Sequence, residues 1–264
     1  MAHAVVRKLH QYESLSADDA RMLSELLCDR KAFLGHADIV RDGDRTDFAL
    51  AILSGWAFRH KVLRDGSRQI TAFLLPGDFC HLNALAGAPM DHGIAALTPV
   101  TIARIGRSQI ERLVTGHPHV AKAIQVSQFA DEARLRTSII SLGRKDAAKR
   151  VGYLLCDLWG RADAIGLMDH DCLDFAPTQA DIADAVGLTP VHVNRVLRRL
   201  REMGLVTLSG RCLTILEFDQ LARMCGYEVS AFVTRRASMA PRPVMLHGAA
   251  YRAAERLTLA GSEA

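Results

Sequence analysis

Four arginines, Arg195, Arg198, Arg199 and Arg201, fall within seven residues, and Arg211 follows shortly after. A guanidinium can bond O6 and N7 of a guanine together in the major groove of DNA. It can equally hold a phosphate, which fixes register without reading sequence. The whole chain of 264 residues carries a formal charge of only +4. Residues 190 to 211 hold five Arg against one Glu, so this short stretch alone matches the excess of the entire chain. Charge placement, rather than net charge, therefore points to nucleic acid.

The elements around these arginines can be read from cap residues and apolar spacing. Thr178 can cap a short helix, with Asp181 three residues on as its capping-box partner. Ile182, Ala185 and Val186 give that helix an apolar face. Gly187 can end it in the left-handed conformation. Thr189 caps a second helix with Pro190 at its first position, where a missing N–H costs nothing. Val193, Val196, Leu197 and Leu200 form its buried stripe, and Gly204 stops it. Residues 205 to 215 then read as a hairpin wing with a turn at Ser209-Gly210. The order is that of a winged helix-turn-helix. It places Thr178, Gln179, Thr189, Val191, His192, Asn194, Arg195, Arg198, Arg199 and Arg211 as the expected DNA-binding residues.

Upstream, residues 14 to 28 open on a cap signal and continue with helical spacing. Between 32 and 106, short apolar runs alternate with turns at Gly35, Gly55, Gly66, Gly77 and Pro99, which suggests a small barrel or roll. A helical run begins at Ser108 and fades at Gly116. Pro118 opens about 25 residues without a break, with Val120, Ile124, Leu135, Ile139 and Leu142 as an interrupted apolar stripe, a pattern that suits a seam between two chains. Gly143 is the expected break before another amphipathic helix carrying Val151, Leu154, Leu155 and Leu158. Residues 163 to 172 read as an acidic turn.

With these elements in view, the chain resembles Crp/Fnr-type transcription regulators, the family of the cyclic-AMP receptor protein and the fumarate-nitrate reduction regulator. The resemblance covers roughly residues 15 to 225. It rests on the helix-turn-helix, on Gly55-Trp-Ala-Phe-Arg with Asp65-Gly-Ser-Arg-Gln-Ile, on Leu75-Pro-Gly-Asp-Phe79, and on the stretch from Leu142-Gly-Arg-Lys-Asp to Leu155. It implies an α+β fold: a cyclic-nucleotide-binding-like β-roll over 14–116, a dimerisation helix over 117–143, a winged helix-turn-helix domain over 144–225, and a flexible extension over 226–264. It also implies a homodimer acting on a palindromic operator as a transcription regulator, an activator in function, with RNA polymerase as a partner and Arg195 as a base contact.

The sensor implied by that resemblance departs from its best-known forms. Cyclic-nucleotide-binding relatives carry Gly-Glu for the ribose and Arg-Ser for the cyclic phosphate. Here Cys80-His-Leu-Asn83 and His92-Gly93 stand in those places. A buried phosphate needs a paired cation, so a cyclic nucleotide held in the standard way is not expected. The iron–sulfur branch needs four thiolates, and the N-terminal region offers only Cys28. The effector pocket, if one is used, is expected to draw on Cys80, His81, Leu82, His92, Gly93, Arg134, Thr137 and Ser138, with the effector unknown or absent. Cys80 beside His81 leaves an activated thiol open, since an imidazolium lowers a neighbouring thiol's pKa. His36, His60, His81, His92, His117 and His119 match no metal-ligand spacing, and no cofactor is expected.

Composition narrows the remaining classes. Six widely scattered cysteines include no C-x-x-C pair and read as reduced thiols. No apolar run reaches the length of a membrane span. The first ten residues lack a signal peptide's hydrophobic block, so the cytoplasm is the expected compartment. No nucleophile–base motif or phosphate loop suggests an enzyme.

Overall fold

The computed structural model of the chain describes residues 4–80 and 87–228. A short helix α1 (Ala4–His10) precedes α2 (Ala17–Leu26), which starts at a Ser16 capping box with Asp19. Helix α1 has no sequence signal, because seven residues are too few to show a period. Val5 and Leu9 bury completely and hold it in place.

Eight strands follow: β1 (Arg30–Phe33), β2 (Asp38–Val40), β3 (Phe48–Ser54), β4 (Ala57–Val62), β5 (Arg68–Leu74), β6 (Phe79–Cys80), β7 (Gly93–Ala96) and β8 (Val100–Gly106). They pair as two antiparallel sheets, ordered β1-β8-β3-β6 and β2-β7-β4-β5. The roll read from alternating short strands is present. Gly55 turns β3 into β4 with φ +77°, and a Cβ there would lie 2.1 Å from the Pro99 carbonyl oxygen, so only glycine fits.

Both faces of these sheets are buried, each for a different neighbour. Leu50, Ile52, Ala57, Leu74, Cys80, Ile94 and Ile102 fill the interior of the roll. Ala49, Ala51, Ala103 and Ile105 face outward from β3 and β8 and pack with Leu9, Leu23, Val120 and Ile124. Trp56, just before β4, and Phe58, Ile70 and Phe73 of β4 and β5 share a core with the C-terminal domain.

Helix α3 (Arg107–Gly116) leads into α4 (Pro118–Arg144), 27 residues long. The helix ends at Arg144, one residue past the break expected at Gly143, where Lys145 turns extended and the Asp146 side chain accepts from Lys149 N, capping α5 (Ala147–Ala164). The apolar stripe also divides. Val120 and Ile124 are buried against the chain's own roll, whereas Phe129, Leu135, Ile139 and Ile140 are exposed. Any seam with a second chain therefore belongs to the C-terminal half of α4.

The C-terminal domain continues with β9 (Met168–Asp169), β10 (Cys172–Asp174), α6 (Gln179–Val186), α7 (Pro190–Glu202), β11 (Val206–Ser209), β12 (Cys212–Ile215) and α8 (Phe218–Cys225). Its sheet runs β11-β12-β10-β9. The segment expected as an acidic turn thus contributes β9 and the start of β10, too short to show alternation. Cys172 is joined to Cys212 by a disulfide, against the expectation that all six cysteines are reduced thiols. Their separation of 40 residues hides the pairing from any spacing rule. Tyr227 packs its ring on Tyr153 and Phe218, so the folded domain continues past Cys225. The expected flexible tail from 229 onward lies outside the described residues.

Candidate nucleic-acid interface

Helices α6 and α7 form as their caps dictate. Thr178 accepts from Asp181 N while the Asp181 carboxylate accepts from Thr178 N and its hydroxyl, closing a full capping box. Gly187 ends α6 at φ +64°. Thr189 accepts from His192 N, and Pro190 opens α7. Val193, Val196, Leu197 and Leu200 are buried against the rest of the domain. That stripe sets the opposite face of α7 outward.

Thr178, Gln179, Thr189, Val191, His192, Arg195, Arg198, Arg199 and Arg211 are all exposed, and Asn194 is half-buried. Val191 is 70% exposed, an uncommon position for an aliphatic side chain at the start of a helix without a partner. The Asn194 amide donates to the Gln179 side chain at 3.2 Å, tying the N-terminus of α6 to the outer face of α7. Among the described residues, Arg195, Arg198, Arg199 and Arg201 form no ion pair. Four unneutralised guanidinium groups on one helix leave a concentrated positive field, which anions would relieve. Arg211 differs. Its guanidinium makes a two-point pair with Asp174 at 2.7 and 3.0 Å, a contact between the wing turn and β10.

Of the described residues expected around an effector, Cys80 and Arg134 are linked through Arg59 and Asp131, Thr137 and Ser138 follow Arg134 on α4, and His92 and Gly93 lie at the start of β7. Cys80 lies fully buried inside the roll, and burial pushes its thiol up to about 11. That is the reverse of an activated thiol. Its neighbour His81, with Leu82, lies outside the described residues. Gly93 sits under the His60 ring, close enough that a Cβ would be 2.7 Å from His60 Cε1. His92 Nδ1 is 2.6 Å from Asp91 Oδ1. Arg134 pairs with Asp131, whose other oxygen is 3.8 Å from the Arg59 guanidinium. Thr137 donates to the Ala133 carbonyl. Arg134 and Ser138 line a small open crevice against α5 and α6, together with Arg150, Tyr153 and Asp157. Among the described residues, no group of three His, Cys, Asp or Glu side chains is placed to hold a metal ion.

Sequence reasoning missed the cations that act through the fold. Arg59 is half-buried beside Cys80, its guanidinium 3.4 Å from the Phe79 carbonyl. Arg68 reaches from β5 to Asp181 and Asp184 of α6 at 2.8 and 2.7 Å, and Gln69 donates to the Asp184 carbonyl at 2.7 Å. Trp56 meets Phe175 edge-on at 6.1 Å. These contacts fasten the roll directly to the helix-turn-helix. Asp78, from the Leu75-Pro-Gly-Asp motif, is buried between Lys8 and Arg161. Its place in a motif marked it as notable, but nothing in the sequence paired it with residues 70 and 83 positions away.

Comparison with known proteins agrees with this architecture. Residues 149–224 match the model of the Crp-like helix-turn-helix domain, and residues 30–117 match that of the cyclic nucleotide-binding domain. The chain is 31% identical to the nitrogen fixation regulation protein FixK of Azorhizobium caulinodans over 193 residues, 73% of this chain and 77% of that protein. The chain belongs to the Crp/Fnr family of transcription regulators. The transcriptional activator protein FnrL of Cereibacter sphaeroides is 26% identical over 196 residues, covering 71% of this chain and 77% of that one. In structure, FixK2 of Bradyrhizobium japonicum superposes with a TM-score of 0.65 at 24% identity, over 76% of this chain and 98% of that one. A CRP-family regulator from Thermus thermophilus gives 0.60 at 21%, over 76% and 99%. These place a helix-turn-helix DNA-binding domain and a cyclic-nucleotide-binding-type roll in one regulator. The family consists of regulators rather than enzymes. Among the described residues, no helix is long and apolar enough to cross a membrane.

Proposed function

We propose that this Crp/Fnr-family regulator acts as a homodimer on a two-fold symmetric operator, with α7 of each protomer in the major groove. The observation that carries this reading is the exposed face of α7, on which four arginines form no ion pair with any described residue, above a buried apolar stripe. Arg195 is assigned to a guanine. Arg198, Arg199 and Arg211 are assigned to phosphates, as are Thr178, Gln179 and Thr189 near the helix N-termini. Val191 is assigned to apolar contact with a thymine methyl, with His192 and Asn194 beside it. Dimerisation is assigned to the exposed Leu135, Ile139 and Ile140 of α4.

A regulator that works on chromosomal DNA is assigned to the cytoplasm, with RNA polymerase as its partner. Activation is favoured by the relative named as a transcriptional activator. The roll is proposed to work without a cyclic nucleotide held in the standard way. His92 and Gly93 offer no guanidinium, and Arg134 is already engaged by Asp131. Titration calorimetry with cyclic AMP near pH 7.5 should give no micromolar binding. For the main claim, a mobility shift on promoter fragments should be competed by specific duplex and not by random duplex. Equal competition by both would reduce the protein to a non-specific DNA binder.

A further inference from the structure

The outer face of α7 does not hold all its residues alike. Val191, Asn194, Arg195 and Arg198 recur at the helical spacing that brings them onto one face, opposite the buried Val193, Val196, Leu197 and Leu200. Val191, Arg195 and Arg198 are exposed, and among the described residues neither arginine has a side-chain partner. Asn194 is half-buried. Its side-chain amide donates at 3.2 Å to Oε1 of Gln179, the first residue of α6. Asparagine is a weak helix former, because its side chain competes for backbone hydrogen bonds. Here the amide is turned away from its own backbone and onto a neighbouring helix.

A primary amide carries two N–H donors and one carbonyl acceptor. The bond to Gln179 uses one donor of Asn194. One N–H and Oδ1 stay free on a side chain that α6 holds in place. In the major groove an adenine offers the complementary pair, N6–H as donor and N7 as acceptor, and an asparagine meets both at once. Guanine sets two acceptors against that edge, so Oδ1 would meet another acceptor. A pyrimidine offers only one hydrogen-bonding group there, which leaves half of the amide unpaired. Gln179 accepts through Oε1, so both N–H groups of its Nε2 remain for the phosphate assigned to it above. Holding the amide before DNA arrives also reduces the rotamer freedom lost on binding.

We propose that Asn194 reads an adenine in each half-site and that Gln179 is its positioning residue, setting which edge of the amide faces the base. Gln179 thereby ties a phosphate contact at the start of α6 to a base contact made from α7. The adenine belongs to the same half-site as the guanine of Arg195, since Asn194 and Arg195 are consecutive on one helix. This inference rests on the placement of α7 in the major groove proposed above, and it adds a base for which neither Arg195 nor Val191 accounts.

The test is selection from a random duplex library by the full chain as wild type, Asn194→Ala, Gln179→Leu and Gln179→Glu. Circular dichroism confirms that each variant keeps its helices. Wild type should enrich an adenine at one position of each half-site. Asn194→Ala should lose that preference, a drop of about 5- to 100-fold in discrimination at that base pair, with the guanine of Arg195 unchanged. Gln179→Leu should weaken the same preference and no other. Gln179→Glu keeps an acceptor at position 179. It should retain the adenine, while its added negative charge lowers affinity for every duplex. A purely structural role would neither move a single base position nor be rescued by glutamate. An adenine preference that survives Asn194→Ala would overturn the assignment of the reader. Full preference in Gln179→Leu would overturn the positioning role. A clear wild-type consensus without that adenine would sink this inference alone. No enrichment by the wild-type chain would remove the proposed function and this inference with it.

Discussion

At the scale of single residues, Arg195 and Asp78 show two opposite uses of charge. Arg195 is exposed and forms no ion pair among the described residues, so its charge is held ready for a ligand. Arg195→Ala should cost about 1–3 kcal/mol of operator binding and relax preference at one base pair. Binding measured on a set of singly mutated operators checks this. Equal loss on specific and random duplex would make Arg195 a phosphate contact. Asp78 is instead committed to the fold. Burial alone would raise its carboxyl, but Lys8, Arg161 and the Leu75 N–H overcome that and hold it well below the usual carboxylate range. A carboxyl depressed on folding stabilises the native state at pH values above its unfolded pKa of about 4, and that share is lost as pH falls toward the folded value. Denaturant unfolding between pH 7 and pH 3 should show stability falling with acid, and falling less steeply in Asp78→Asn. That variant should also lose about 3–5 kcal/mol at pH 7, because it leaves the buried Lys8 without its carboxylate and Arg161 with Asp157 alone. A variant with wild-type acid sensitivity would assign the effect to other groups.

At the scale of elements, what could be read from the sequence was what local chemistry decides. Thr178, Gly187, Thr189 and Pro190 each act within a few residues, and each takes up the role its type implies. Gly187→Ala should be costly, since φ is +64° and the new Cβ would come within 3.2 Å of Leu142 Cδ2. The left-handed conformation alone costs a non-glycine residue about 1–2 kcal/mol, and thermal unfolding of the variant measures the total. What could not be read depends on contacts far apart in sequence. Helix α1 is held by tertiary burial, β9 is only two residues long, and Cys172 finds Cys212 only because β10 pairs with β12. In the candidate interface, the exposed residues of α7 follow from its buried stripe, whereas the Arg211–Asp174 pair needed the sheet. The effector-side residues follow from resemblance, and the Arg59–Asp131–Arg134 chain that links Cys80 to α4 depends on the fold.

At the scale of the whole molecule, the roll and the DNA-binding domain are fastened by a shared apolar core and by Arg68 and Gln69 on α6. Arg68→Ala should leave both domains folded and speed hydrogen exchange in residues 179–186 relative to the rest of the chain. Unchanged exchange there would mean that the apolar contacts alone set the coupling. Helix α4 leaves Leu135, Ile139 and Ile140 in solvent, an arrangement that a second protomer would cover. Ile139→Asp should therefore shift sedimentation from dimer toward monomer and weaken operator binding together.

The most direct test of the central claim is selection of bound sequences from a random duplex library by the purified full chain, followed by sequencing and by sedimentation of the complex. The account predicts a two-fold symmetric consensus whose half-sites lie about 34 Å apart, one helical turn, bound by two chains. An asymmetric single site bound at full affinity by one chain, or no enrichment at all, would contradict it.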